Sequence, residues 1–205
     1  MRCGKVQPLN SKSTYFEALG YYEPTPDIDL ADLSSRMKNI LRSLHPDKFI
    51  GMPEADQKMA LDSSSFVNQA YMVLSDPIER SSYLLKLSGC DMSNQDKSGE
   101  ETLEFLSEMM TLNENIEKTI ETLNSLDLSD ASLKAKFEAN LTYLYRDISY
   151  RFASECKLLN TSLRHREWAN AKLALSRAKY FGKLLDLLHE VRPLVRLKNL
   201  NVDMY

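Results

Sequence analysis

The stretch Arg42-Ser43-Leu44-His45-Pro46-Asp47-Lys48-Phe49-Ile50 decides how this chain is read. Upstream of it, Leu30, Leu33, Met37, Ile40, Leu41 and Leu44 recur at the i, i+3, i+4, i+7 spacing of one buried helix face. Asp29 is placed to cap that helix, and Asp32 falls in its first turn, where a carboxylate favours the helix dipole. Pro46 restricts His45 to extended backbone, so the helix is expected to end at about Leu44 and a loop to run from His45 to Met52. Downstream, Pro53 and Glu54 open a second helix with Ala60, Leu61, Phe66, Val67, Ala70, Tyr71 and Leu74 on its buried stripe. A stiff tripeptide thus sits between two amphipathic helices.

The chemistry of that tripeptide is specific. Pro46 fixes its own φ and stops the helix, which holds the backbone to one path. Asp47 is then offered to solvent as a carboxylate suited to charge-assisted hydrogen bonds from a partner's arginine. His45 serves as a spacer or as a hydrogen-bonding side chain. Arg36, Lys38 and Arg42 lie on the non-apolar sides of the preceding helix, and Lys48 follows the motif. Each base alone reads as a solvated helix position; clustered around one loop, the four read as a basic face for an acidic partner surface.

Outward from this hairpin, almost every segment has the helical period, and useful runs of period-2 alternation are absent. The fold class expected is all-α. A short helix covers Thr14 to Leu19, capped by Ser13 or Thr14, with Gly20 just past its end. Pro24, Pro26 and Asp27 make a turn. Asp76-Pro77 closes the second long helix and starts a shorter one carrying Tyr83, Leu84, Leu85 and Leu87, which Gly89 ends. From Asp91 to Gly99 the chain is polar, with only Met92 apolar, and marks the best domain boundary. Beyond it, helices are expected near residues 100–125, 130–161 and 164–192, with turns at Ser125–Asp130 and Asn160–Arg164, forming an antiparallel three-helix bundle. The first bundle helix is acidic and the third, from Arg164 onward, is basic, which predicts pairing of oppositely charged helices within the bundle. Exposed pairs of this kind contribute only ~0–1 kcal/mol each, so they orient the bundle more than they hold it together.

Composition narrows the function. The 205 residues carry a net charge of −3 with a pI near 5.7, which gives no general attraction to nucleic acid or to anionic membrane. No stretch approaches the ~20 apolar residues that cross a bilayer, so a soluble protein is expected. Cys3, Cys90 and Cys156 are far apart, and His45, His165 and His189 are scattered, so neither a disulfide framework nor a metal site is expected. Arg2, Lys5 and Lys12 precede any acid, a start that fits either a mitochondrial transit remnant or a frayed basic tail.

With its histidine-proline-aspartate loop between two long helices, the segment from residue 14 to about 88 resembles the J-domain, and in more detail the HscB type of co-chaperone. The finer likeness lies in Tyr15-Phe16-Glu17-Ala18-Leu19-Gly20, Asp27-Ile28-Asp29, Phe66-Val67-Asn68-Gln69-Ala70-Tyr71, Leu74-Ser75-Asp76-Pro77 and Arg80-Ser81-Ser82-Tyr83-Leu84-Leu85. The resemblance implies a J-domain at 14–88, a linker at 89–99 and a scaffold-binding bundle at 100–198. It implies two partners, a DnaK-type heat-shock chaperone whose ATPase is stimulated through Asp47, and an iron–sulfur cluster scaffold protein. The scaffold patch maps onto Leu106, Met110 and Tyr180, with Ser107 standing where the family often has another apolar residue. No cofactor and no catalytic group of the chain's own is implied. Cys3 alone cannot build the cysteine-rich zinc module that some eukaryotic members carry. The mitochondrial matrix is the expected compartment, with the cytoplasm as the alternative, and a homo-oligomer is compatible with the sequence.

Two other readings compete. In one, the bundle carries a different client while the J-domain function stays. In the other, the basic stretch 164–198, with Trp168, Tyr180 and Phe181 interleaved, stacks on nucleic acid; the acidic pI and the complementary acidic helix oppose it.

Overall fold

The computed structural model describes residues 13–90, 102–125 and 129–203. They form helices and turns without a strand, and the chain divides into two compact units at Asp91–Met92. The expected linker at 89–99 lies outside the described residues except for Gly89 and Cys90.

In the first unit, α1 (Tyr15–Ala18) is a single turn closed by a capping box. Thr14 Oγ1 accepts from the Glu17 amide while Glu17 reaches back to the Thr14 amide at 2.7 Å. Gly20, at φ 76°, takes the left-handed position after α1 and lets the Tyr21 amide donate back to Phe16. Helix α2 (Leu30–Ser43) starts at Asp29, whose carboxylate accepts from the Ala31 and Asp32 amides. Helix α3 (Glu54–Ser75) pairs with α2 as a hairpin, and Asp76 both ends it and caps α4 (Pro77–Leu87) through the Ile78 and Glu79 amides. Phe16, Leu19, Leu33, Val67, Leu74 and Leu85 are fully buried and make the core. The buried Arg80 bolts the turn to that core: its guanidinium donates to the carbonyls of Pro26 and Leu74.

The second unit is a bundle of α5 (Leu103–Ser125), α6 (Ala131–Arg164) and α7 (Trp168–Glu190), followed by the short α8 (Arg192–Leu197). Phe105, Ile116, Leu123, Leu141, Ile148, Phe181 and Leu188 interlock in its core. Ala171, Ala174 and Ala178 present almost no side-chain bulk on the buried face of α7, which suits close helix packing.

Three details depart from expectation. The segment after Leu44 is not a plain loop: Pro46–Phe49 winds into one 3-10 turn that buries Phe49. The second bundle helix runs on to Arg164, and the turn falls at His165–Glu167 instead of Asn160–Arg164. No helix breaker occurs before it, and the stop is a Schellman motif in which Arg166, at φ 59°, takes the left-handed position while the Glu167 amide donates to Ser162 at 2.8 Å. The third helix ends at Glu190 and α8 follows, with Pro193 in its first turn. The turn expected at Ser125–Asp130 includes residues 126–128, which lie outside the described residues. Among the described residues, ion pairs join bundle helices at Glu108–Arg151 and Glu155–Arg177, so α6 takes part in both.

Candidate functional site

The His45-Pro46-Asp47 loop is held from below. Leu44 and Phe49 are buried at either end of it, and the four residues between them are exposed. The Lys48 amide donates to the His45 carbonyl at 2.9 Å, and the Met52 amide to Phe49 at 3.0 Å. The imidazole Nδ1 of His45 accepts from the Asp47 amide at 3.3 Å and lies 3.4 Å from the Asp47 carboxylate. Its lone pair can serve the amide, or a proton there can serve the carboxylate, but not both at once. With the lone pair on the amide, the carboxylate keeps its full hydrogen-bonding capacity for another molecule.

The four bases divide. Lys38, Arg42 and Lys48 are exposed. Lys38 and Arg42 follow one another at i, i+4 on α2, so they share one face of that helix. Arg36, half-buried, reaches instead to the loop before α2. Its Nε donates to Asp32 at 2.7 Å, its Nη1 to the Gly20 carbonyl at 2.7 Å, and its guanidinium lies 4.5 Å from the centre of the Tyr21 ring. Tyr21 donates to the same Asp32 carboxylate at 3.0 Å. Burial first, and then the hydrogen bond and charge of Asp32, push the Tyr21 hydroxyl up to about 12. Hydrogen bonds from Arg36 and then Tyr21 hold the Asp32 carboxyl below its ordinary range.

The second unit brings Leu106, Met110 and Tyr180 together, across 70 residues of sequence, on an open groove of about 920 Å³ between α5 and α7. Met110 is 67% exposed and Tyr180 39%, while Leu106 is half-buried. Met109, Leu184 and Leu187 complete the apolar lining, and Glu114, Lys183 and Asp186 stand at its rim. Those residues went unread in the sequence; the signal was the i+4, i+7 continuation of Tyr180 along α7. Ser107 is exposed and does not line the groove. Phe105 supports the floor, packed edge-on against Tyr180 at 5.8 Å and Phe181 at 5.9 Å, with the Arg177 guanidinium 4.9 Å from its ring centre.

The first unit thus exposes a carboxylate on a stiff loop, and the second an open apolar groove. No family model matches the chain. The co-chaperone protein HscB of Proteus mirabilis is 33% identical over 172 residues, 84% of this chain and 91% of that protein. An HscB homolog from Shewanella woodyi is 31% identical over 83% of this chain and 91% of its own length. The chain belongs to the HscB co-chaperone family. Among solved structures, chaperone HscB from Vibrio cholerae superposes with a TM-score of 0.70 at 27% identity, over 88% of this chain and 98% of that one. The human co-chaperone HscB shares the fold, with a TM-score of 0.69 at 21% identity over 92% of this chain and 87% of that one. HscB relatives are named co-chaperones, not enzymes. The curated ones named here are bacterial and give no support to the mitochondrial placement read from the basic start, and residues 1–12 lie outside the described residues.

The remaining histidines stand apart from both features. His165 caps α6 and is exposed, and His189 meets the Tyr145 hydroxyl at 3.3 Å. Phe181 is buried, which removes it from any shared stacking face with Trp168 and Tyr180. Among the described residues no group of three or more His, Cys, Asp or Glu is placed to hold a metal ion, and no helix is long and apolar enough to cross a membrane.

Proposed function

We propose that this HscB-family chain binds an iron–sulfur scaffold protein in the Leu106–Met110–Tyr180 groove and delivers it to a DnaK-type heat-shock chaperone, whose ATPase it stimulates through Asp47. The observation that carries the reading is the Asp47 carboxylate, held at a fixed, exposed point by the Pro46 turn over the buried Phe49. A carboxylate so placed is ready for a bidentate contact with a partner's arginine, and it loses little freedom on binding. Lys38, Arg42 and Lys48 beside it raise the encounter rate with an acidic surface. Arg36 acts in the same region as a bolt that sets the α1–α2 turn. The chemistry of hydrolysis belongs to the chaperone; this chain contributes binding and orientation, and cluster iron and sulfide are cargo of the scaffold.

Single-turnover ATP hydrolysis by a cluster-assembly chaperone tests the proposal, with this protein and the scaffold added separately and together. Synergistic stimulation is the expected result. Stimulation that ignores the scaffold would leave the J-domain role and reassign the groove to a different client.

A further inference from the structure

The loop that offers Asp47 continues into a second tight turn with an apolar residue at its corner. The Met52 amide donates to the Phe49 carbonyl at 3.0 Å, with Ile50 at φ −59°, ψ 125° and Gly51 at φ 80° between them. Those angles make a type II turn, whose third position requires the positive φ that glycine takes freely. Proline is common at the corner of such a turn. Here the corner is Ile50, and it is 78% exposed. Met52 follows at 45% exposed, and its carbonyl accepts from the Gln57 side chain at 2.9 Å, which ties the end of the loop to α3. One turn on from Gln57, on the same face of α3, Leu61 is 64% exposed. Three large apolar side chains therefore reach solvent from backbone that hydrogen bonds hold in place.

Their position points to what covers them. Ile50 comes three residues after Asp47 on the same stiff loop, and the buried Phe49 anchors the backbone between the two. A partner that receives the Asp47 carboxylate therefore meets this turn as well. The carboxylate also gains from such neighbours. An ion pair left open to water contributes only ~0–1 kcal/mol. Apolar groups that close around a charged contact and keep water out are what make it strong. The bases Lys38 and Arg42 reach the loop from α2, before it, and the apolar residues follow it, so the Asp47 contact is polar on one side in sequence and apolar on the other.

We propose that Ile50, Met52 and Leu61 form an apolar contact for the chaperone that Asp47 engages, and that they dock on an apolar surface beside the arginine receiving the carboxylate. The inference rests on the J-domain reading given above and divides the work within it. Asp47 stimulates hydrolysis, and the apolar residues set how tightly the chaperone is held. A turn fixed before binding loses little freedom on binding, so its few side chains contribute to affinity without a large ordering cost. Salt screens the attraction exerted by Lys38 and Arg42 but not the burial of apolar surface. The apolar contribution therefore persists at an ionic strength that removes the electrostatic one.

Single-turnover ATP hydrolysis by the chaperone, titrated with the full chain, tests the inference. Ile50→Ser with Met52→Ser raises the half-saturating concentration by about tenfold, and adding Leu61→Ser raises it further. Asp47→Ala, run beside them, removes the stimulated plateau itself. The tenfold ratio holds from low to high salt. All three substituted side chains are exposed, so the circular dichroism spectrum and melting temperature match the wild type. If the Ile50→Ser, Met52→Ser curve superposes on the wild type while Asp47→Ala is inactive, the apolar contact is overturned and the J-domain reading stands. Full stimulation by Asp47→Ala overturns both. A tenfold ratio that disappears at high salt overturns the apolar contact by making the effect one of charge.

Discussion

In the proposed function, the Asp47 loop and the Leu106–Tyr180 groove present their binding surfaces in opposite ways. The loop is local and polar. Its geometry follows from a handful of consecutive residues, with Pro46 fixing φ and Phe49 buried beneath. The groove is apolar and assembled from two helices that meet only after the bundle folds. A surface of the first kind fails when one functional group is removed, and one of the second kind fails by degrees. Mutations should expose that difference in their additivity.

The largest expected effect is at the loop. Asp47→Ala returns chaperone ATP hydrolysis to its unstimulated rate while the circular dichroism spectrum and thermal midpoint stay as they were. Full stimulation by that variant would remove the loop from the mechanism. At the groove, Leu106→Ala with Tyr180→Ala lowers scaffold affinity by about 10- to 100-fold in titration calorimetry, with stimulation in the scaffold's absence unchanged. Either substitution alone should cost only part of that, and a single one accounting for the whole loss would make the groove behave like the loop. Phe49→Ala tests the loop's support: it destabilises the first unit by about 3 kcal/mol in denaturant unfolding and lowers stimulation with Asp47 still present. A smaller effect is expected at Arg36→Met, which frees the Gly20 carbonyl and Asp32 and costs about 1 kcal/mol while leaving most of the stimulation in place.

The smallest effect concerns pH. Burial, and then the charge of Arg192, hold the His189 imidazole below its ordinary value, against the opposing pull of Asp186. The unfolded chain then binds more protons than the folded one in the window between the two values. Stability from this group is complete above the unfolded value near 6.5 and is lost as pH falls through the folded one. Melting temperature measured against pH should fall less steeply on the acidic side for His189→Gln than for the wild type, and parallel curves would rule the group out.

Much of the fold was readable because local physics and tertiary packing agree. Asp29 and Asp76 cap the helices they precede, and the stripe from Leu30 to Leu44 indicated the long helix before the loop. Leu30, and Leu61 on the next long helix, remain exposed although the period places them on the buried stripes. What stayed hidden was set by contacts distant in sequence. Arg166 occupies a left-handed position that favours glycine or asparagine, and nothing local marks it as a helix stop. Arg36 reads as one more base on a polar face until Gly20, Tyr21 and Asp32 gather around it. The groove was half legible: Leu106, Met110 and Tyr180 came from the family likeness, whereas Met109, Leu184 and Leu187 needed the packing of α5 on α7.

The two methionines in that groove carry a consequence for how the pair of proteins changes over time. An unbranched thioether side chain re-fits around a new neighbour at little cost, where a leucine or valine would clash or leave a gap. On the proposed scaffold-binding reading, Met109 and Met110 therefore let the bound surface drift in shape without a matching change on this chain. Scaffolds from distant species should be accepted with modest loss, even where their own contact residues have diverged.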